Sequence, residues 1–130
     1  MAVPAYDETN IFARILRGEL PNETLYEDEY VLVFRDIAPQ APVHALVLPK
    51  GRYISPDDFA AEASDAELVA LVRATGRVAR DLGLDKTGYR LIANHGPHSH
   101  QAVPHLHWHV LGGGDLGNGL VFADDASWTD

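Results

Sequence analysis

Apolar and polar positions along the chain recur with two periods, one helical and one extended. In Asn10-Ile11-Phe12-Ala13-Arg14-Ile15-Leu16-Arg17-Gly18 the spacing gathers Ile11, Phe12, Ile15 and Leu16 on one helical face. Thr9 or Asn10 supplies the cap and Gly18 the stop. After a turn at Pro21-Asn22, Thr24–Glu27 and Tyr30–Arg35 read as strands, with Asp28-Glu29 as the hairpin turn between them. Asp36 to Pro42 is a loop, because its two prolines remove two backbone donors. His44–Pro49 reads as a third strand, ended by proline.

Ser55-Pro56 has the cap-then-proline pattern of a helix start, predicted as a single turn. The longest helix is predicted from Asp65 to Leu82. Ser64 and Glu67 form a capping box, Leu68, Leu71, Val72, Thr75, Ala79 and Leu82 form the stripe, and Gly83 suits the C-terminal cap. Val69, Gly76 and Val78 widen that stripe enough to suggest a subunit contact. Tyr89–Asn94 and Val103–Leu111 complete the strands, with a loop rich in His and Gly between them. Strands that follow one another as hairpins predict an α+β fold, with about five antiparallel strands, one long helix and one or two short ones. Its 130 residues suit a single domain, with a core over about 10–114 and a Gly- and Asp-rich tail over 115–130.

Composition removes several classes of chemistry. There is no cysteine, so disulfides, thiolate metal sites and cysteine nucleophiles are excluded. The first residues lack the pattern of a signal peptide and no apolar run is long enough for a membrane helix, so a cytoplasmic protein without membrane contact is expected. Nineteen acidic residues against ten basic ones give a formal charge of −9. Such a surface disfavours long nucleic acids, whose affinity comes largely from Lys and Arg on phosphates. A small phosphorylated ligand needs a local positive pocket, and the seven histidines are the groups to supply it.

Three of these histidines alternate in His105-Leu106-His107-Trp108-His109. On a strand they share one face while Leu106, Trp108 and Val110 share the other, and neighbours stand about 6.6 Å apart. Two readings follow from the residues alone. Such a pattern can give two imidazoles to a zinc-like ion, or its middle imidazole can attack phosphorus while the outer two organise the site.

The surroundings of this strand resemble the histidine triad (HIT) family, in its nucleotide-binding, Hint-like branch. The resemblance rests on His105 to Gly113, on Asn10-Ile11-Phe12 through Ile15, on Phe34 to Pro42, on His44 to Lys50, on Asp81 to Leu84, and on Gly88 to Asn94 followed by Gln101. It implies a HIT-like fold and a hydrolase or transferase acting on nucleoside phosphoramidates or related 5'-phosphate derivatives. The purine nucleotide would be AMP- or GMP-like, and the reaction would pass through a nucleotidyl-histidine without metal or other cofactor. His107 is then the nucleophile, His109 a phosphate partner, and His105 and His44 the groups that complete and orient the cluster. Asp36 matches the ribose-binding carboxylate, Ile11, Phe12, Ile15, Phe34 and Ile37 the apolar slot for the base, and Asn94 and Gln101 the polar contacts to phosphate. A homodimer is implied as well.

Ala102 departs from the pattern, which has serine there, and so removes a hydroxyl expected beside the leaving group. Pro104 removes a backbone donor before the triad, and Gly112-Gly113-Gly114 lacks the arginine common after the second glycine. Among His95, His98 and His100, either of the last two is a candidate substitute proton donor, and the loop is also a candidate transition-metal site. A nucleotide-binding module with weak catalysis is the alternative to an enzyme.

Overall fold

The computed structural model describes residues 5–120. Helix α1 covers Ile11–Leu16; the Asn10 side chain accepts the Ala13 N–H and supplies its cap. Strands β1 (Thr24–Glu27), β2 (Val31–Arg35) and β3 (Val43–Pro49) follow, then helices α2 (Pro56–Glu62), α3 (Asp65–Asp81) and α4 (Leu84–Thr87). Strand β4 (Tyr89–Ala93), a single 3-10 turn at Pro97–Ser99, and β5 (Trp108–Gly112) complete the order. The strands form one antiparallel sheet in the order β1-β2-β3-β5-β4.

Alternation along the strands gives the sheet two different faces. Val31, Val33, Ala45, Val47 and Val110 point to one side, where Leu71, Ala74, Val78 and Ala79 of α3 seal the main core. The predicted capping box is present: Ser64 accepts the Glu67 N–H while Glu67 accepts the Ser64 N–H. Leu32, Phe34, Leu46 and Leu48 point to the other side, covered at one end by Phe12 of α1. Beyond that cover the second face opens on the histidines.

Three elements differ from the sequence reading. Helix α2 has seven residues, not one turn, because Ser55 and Asp58 close a reciprocal capping box on it. Helix α4 is an extra single turn too short to show a period. Strand β5 begins at Trp108, not Val103. Pro104 has no N–H to offer the ladder, and the Leu106 N–H donates outside the sheet to the Tyr53 carbonyl at 2.8 Å. At the far end Gly113 ends the strand with φ of +81°, where an added Cβ would stand 2.9 Å from the Val43 side chain. Part of the predicted tail, residues 121–130, lies outside the described residues. No helix among those described is long and apolar enough to cross a membrane.

Candidate active site

The three histidines do not form a uniform row. His105 is fully buried before the strand begins. Its Nε2–H donates to the Pro49 carbonyl at 2.8 Å, and its Nδ1 lies 2.6 Å from the Tyr6 hydroxyl. A carbonyl can only accept, so the proton sits on Nε2 and the tyrosine donates to Nδ1. Its side chain is therefore closed off from the site, and its contribution is the backbone carbonyl, which accepts the Nδ1–H of His107 at 2.7 Å. The same reasoning leaves the His107 Nε2 as the ring's lone-pair nitrogen, with no hydrogen-bond partner among the described residues.

His107 is wedged between Phe12, edge-on at 4.8 Å between ring centroids, and His109 at 5.0 Å. A second chain of contacts fixes His109. The Gln40 N–H donates to His44 Nδ1 at 3.1 Å, so the His44 proton is on Nε2, which lies 2.8 Å from His109 Nδ1. His44 therefore donates to His109 Nδ1, and the His109 proton is left on Nε2, where it is a donor to an incoming ligand. The Asp36 carboxylate stands 3.5 Å from His44 Nε2 and also accepts the Ala38 N–H.

Burial governs the charge of these rings. Desolvation pushes the pKa of His105 and of His109 down to about 4, and His107 and His44 lie below the ordinary histidine value for the same reason. For His109 the neighbouring His107 and His44 add repulsion, while Asp36 acts the opposite way. All four are thus neutral near pH 7. These four neutral rings do not supply the positive potential expected of protonated histidines, and what they offer phosphate is an oriented N–H donor, the His109 Nε2–H.

Asp36, His44 and His109 each offer a ligand atom within 4.8 Å of the others, the cluster a metal would use. The tautomers fit an ion poorly. The Gln40 N–H holds the His44 proton on Nε2, and that proton already joins the two imidazoles. The donor set suits a hydrogen-bonded relay better than coordination.

The remaining candidates separate into groups. Phe12 and Phe34 are buried and meet edge to face at 5.7 Å. Ile15 packs partly against them, whereas Ile11 is about half exposed and Ile37 is 97% exposed. The structure thus brings together one wall of the expected slot and leaves Ile37 on a free loop. Asn94 lines a cavity beside His44, His109 and Arg90. Gln101 is occupied otherwise: its amide donates to the carbonyls of Ile54 and Val103 and accepts the Gly96 N–H, clamping the loop before the triad. His95, His98 and His100 are exposed, and none lines that cavity. Tyr6 and Arg90 escaped the sequence reading. Tyr6 lies 99 positions from the histidine it meets, and no local pattern marks it. Arg90 had a detectable signal, as a cation on the same strand face as Ile92 and Asn94.

Comparison with known proteins agrees with this geometry. The HIT domain family model matches residues 17–116. A 13.2 kDa HIT-like protein of Azospirillum brasilense is 54% identical over 112 residues, covering 86% of this chain and 92% of its own. The purine nucleoside phosphoramidase of Escherichia coli is 41% identical over 110 residues, with 85% and 92% covered. Among solved structures, a HIT family hydrolase from Clostridium thermocellum superposes with a TM-score of 0.81 at 41% identity, covering 88% of this chain and 99% of its own. A histidine triad nucleotide-binding protein from Candida albicans gives 0.76 at 30%, with 94% and 87% covered. The antiparallel sheet, the ordered histidines at its open face and these likenesses together establish that the chain belongs to the histidine triad (HIT) domain family.

Proposed function

We propose that the protein hydrolyses nucleoside phosphoramidates, or related esters of a nucleoside 5'-phosphate, with His107 as a covalent nucleophile. The observation that carries this reading is the anchoring of His107: its Nδ1–H is held on the His105 carbonyl, so the neutral ring keeps its lone pair on Nε2, which has no hydrogen-bond partner among the described residues. Neutral imidazole is the reactive form. The likeness to a phosphoramidase supports the choice of substrate class.

The Nε2 lone pair forms a bond to the α-phosphorus. The bond from phosphorus to the leaving nitrogen breaks with its electron pair on nitrogen, which takes a proton from solvent in the open cavity. Ala102 offers no hydroxyl for that transfer. Water then attacks phosphorus, the bond to His107 breaks with its pair returning to Nε2, and the water proton returns to solvent. The His109 Nε2–H and backbone N–H groups stabilise the phosphoryl oxygens, so no step calls for a metal. The nucleoside lies along Phe12 and Phe34, with Asp36 accepting ribose hydroxyls, an arrangement that grips any purine face. Hydrolysis of adenosine phosphoramidate in chelator is expected to persist in the wild type and to fall by at least about a thousandfold in His107→Ala. Wild-type turnover in the variant overturns the reading.

Ala102 favours a second reading, a nucleotide-binding module with weak catalysis. Tight AMP binding with negligible turnover selects it. In either case the protein pairs as a homodimer. The support is an uncovered apolar surface: Leu91 stands opposite Val110 on the face α3 covers elsewhere, yet Leu91, Tyr89, Val69 and Val72 are exposed.

A further inference from the structure

The carbonyl that orients His107 belongs to a stretch of backbone that the sheet does not hold. The β5 ladder begins at Trp108, opposite Val47 and Ala93, and the His105 N–H donates locally to the Val103 carbonyl at 2.8 Å. The His105 carbonyl and the Leu106 N–H are two edges of one planar peptide unit. One edge donates to the Tyr53 carbonyl at 2.8 Å, and the other accepts the His107 Nδ1–H at 2.7 Å. That plane pivots on the His105 Cα, so its setting depends on what fixes the His105 side chain.

Each nitrogen of the His105 ring has its own anchor. The Pro49 carbonyl at the end of β3 accepts the Nε2–H, and the Tyr6 hydroxyl donates to Nδ1 at 2.6 Å. Burial raises the pKa of Tyr6 above its ordinary value, so the hydroxyl keeps the proton it donates. The tyrosine ring also meets the imidazole edge-on, with 5.6 Å between centroids. The residues after Tyr6 hold it in place. The Glu8 carboxylate pairs with Arg52 at 2.7 Å and with Arg17 at 3.7 Å, and the Glu8 carbonyl accepts an Arg17 N–H at 2.8 Å. Farther along the same segment, Phe12 packs on the His107 ring. One short stretch of chain thus touches both the nucleophile and the imidazole behind it.

Resting on the reading of His107 as the nucleophile, we propose that Tyr6 is a positioning residue for the reaction: through the His105 ring and the peptide that follows it, Tyr6 holds His107 in the tautomer whose lone pair is on Nε2. Tyr6 touches no reacting atom. Without its hydroxyl, Nδ1 of a fully buried ring has no donor, and the ring turns to relieve it. The His105 carbonyl shifts with the ring and loosens its hold on the His107 Nδ1–H. The nucleophile then samples the other tautomer, with its proton on Nε2, which has no lone pair there for attack. Phe12, Phe34 and Asp36 keep their places, so the loss falls on the chemical step and not on nucleotide binding.

Tyr6→Phe tests this, because it keeps the edge-on ring and removes only the hydroxyl. With adenosine phosphoramidate as substrate, kcat is expected to fall by about tenfold, with KM and the Kd for AMP unchanged. Nitrogen-15 spectra of histidine-labelled protein give a second readout that does not depend on turnover. His107 is expected as one tautomer, protonated on Nδ1, in the wild type and as a mixture in Tyr6→Phe. Val78→Ala is the control: it opens the main core on the other face of the sheet and is expected to leave kcat and the His107 nitrogens as they are. An unchanged His107 spectrum in Tyr6→Phe overturns the inference, as does a fall in kcat no larger than that in Val78→Ala. A rise in KM alone assigns Tyr6 to binding and overturns it as well. If the wild type leaves the substrate intact while the His107 spectrum still responds to Tyr6→Phe, the phosphoramidase reading falls and the hold on His107 stands.

Discussion

At the scale of single residues, the site depends on which nitrogen of each imidazole carries the proton. A backbone carbonyl decides it for His105 and His107, and a backbone N–H decides it for His44 and, through His44, for His109. Burial then keeps the rings neutral, with two consequences for pH. Because burial holds the pKa of His107 below the ordinary histidine value, the acid limb of kcat/KM is expected to be centred below about 6.5. An acid limb already centred at or above about 6.5 in the pH–rate profile contradicts this. Stability changes in the same direction. His105 titrates at about 4 when folded and near 6.5 when unfolded, so the unfolded chain binds the extra proton between those values. Its contribution is complete above about pH 6.5 and is lost as pH falls toward about 4, which urea titrations across that window should show as a falling midpoint. Tyr6→Phe leaves the His105 Nδ1 buried without its donor and is expected to cost about 1–3 kcal/mol in the same measurement.

At the scale of elements, the approach to the triad is held by a loop as much as by the sheet. Asp58 at the start of α2 accepts N–H groups from Ile54 and Ser55. The carbonyl of Ile54 then receives the Gln101 amide, and that of Tyr53 the Leu106 N–H. Asp58→Ala should therefore destabilise the protein by about 2 kcal/mol or more and also lower turnover, since it frees the loop behind His107. Denaturant unfolding and kcat check the two halves together. Residues with strong local signals were legible in the sequence: the Ser64–Glu67 box, the stripe of α3, and the alternation in β2 and β3 all correspond to observed elements. What was hidden depends on long-range partners. The late start of β5 follows from a bond between Leu106 and a loop some fifty positions earlier, and the enclosure of His105 follows from Tyr6 and Pro49. Gln101 reads as a phosphate contact through the family resemblance, while its partners in the fold are loop backbone groups that no motif displays. Ile37 belonged to the right loop, yet it lies exposed.

At the scale of the whole molecule, the sheet is covered unevenly. Helix α3 shields β2 and β3, and β4 remains an edge strand with Tyr89 and Leu91 exposed beside Val69 and Val72. Leu91→Glu and Val72→Glu are each expected to shift the protein toward monomer in sedimentation velocity; unchanged sedimentation in both variants contradicts the dimer surface. The excess of acidic groups should also leave the protein without measurable affinity for long duplex DNA at physiological salt. The most direct test of the central claim is the mass of the intact protein during turnover of adenosine phosphoramidate, quenched within milliseconds in alkaline denaturant and followed by peptide mapping. The account predicts one added nucleotidyl group, carried on His107. Substrate consumption with the adduct absent, or with the group on any other residue, would contradict it.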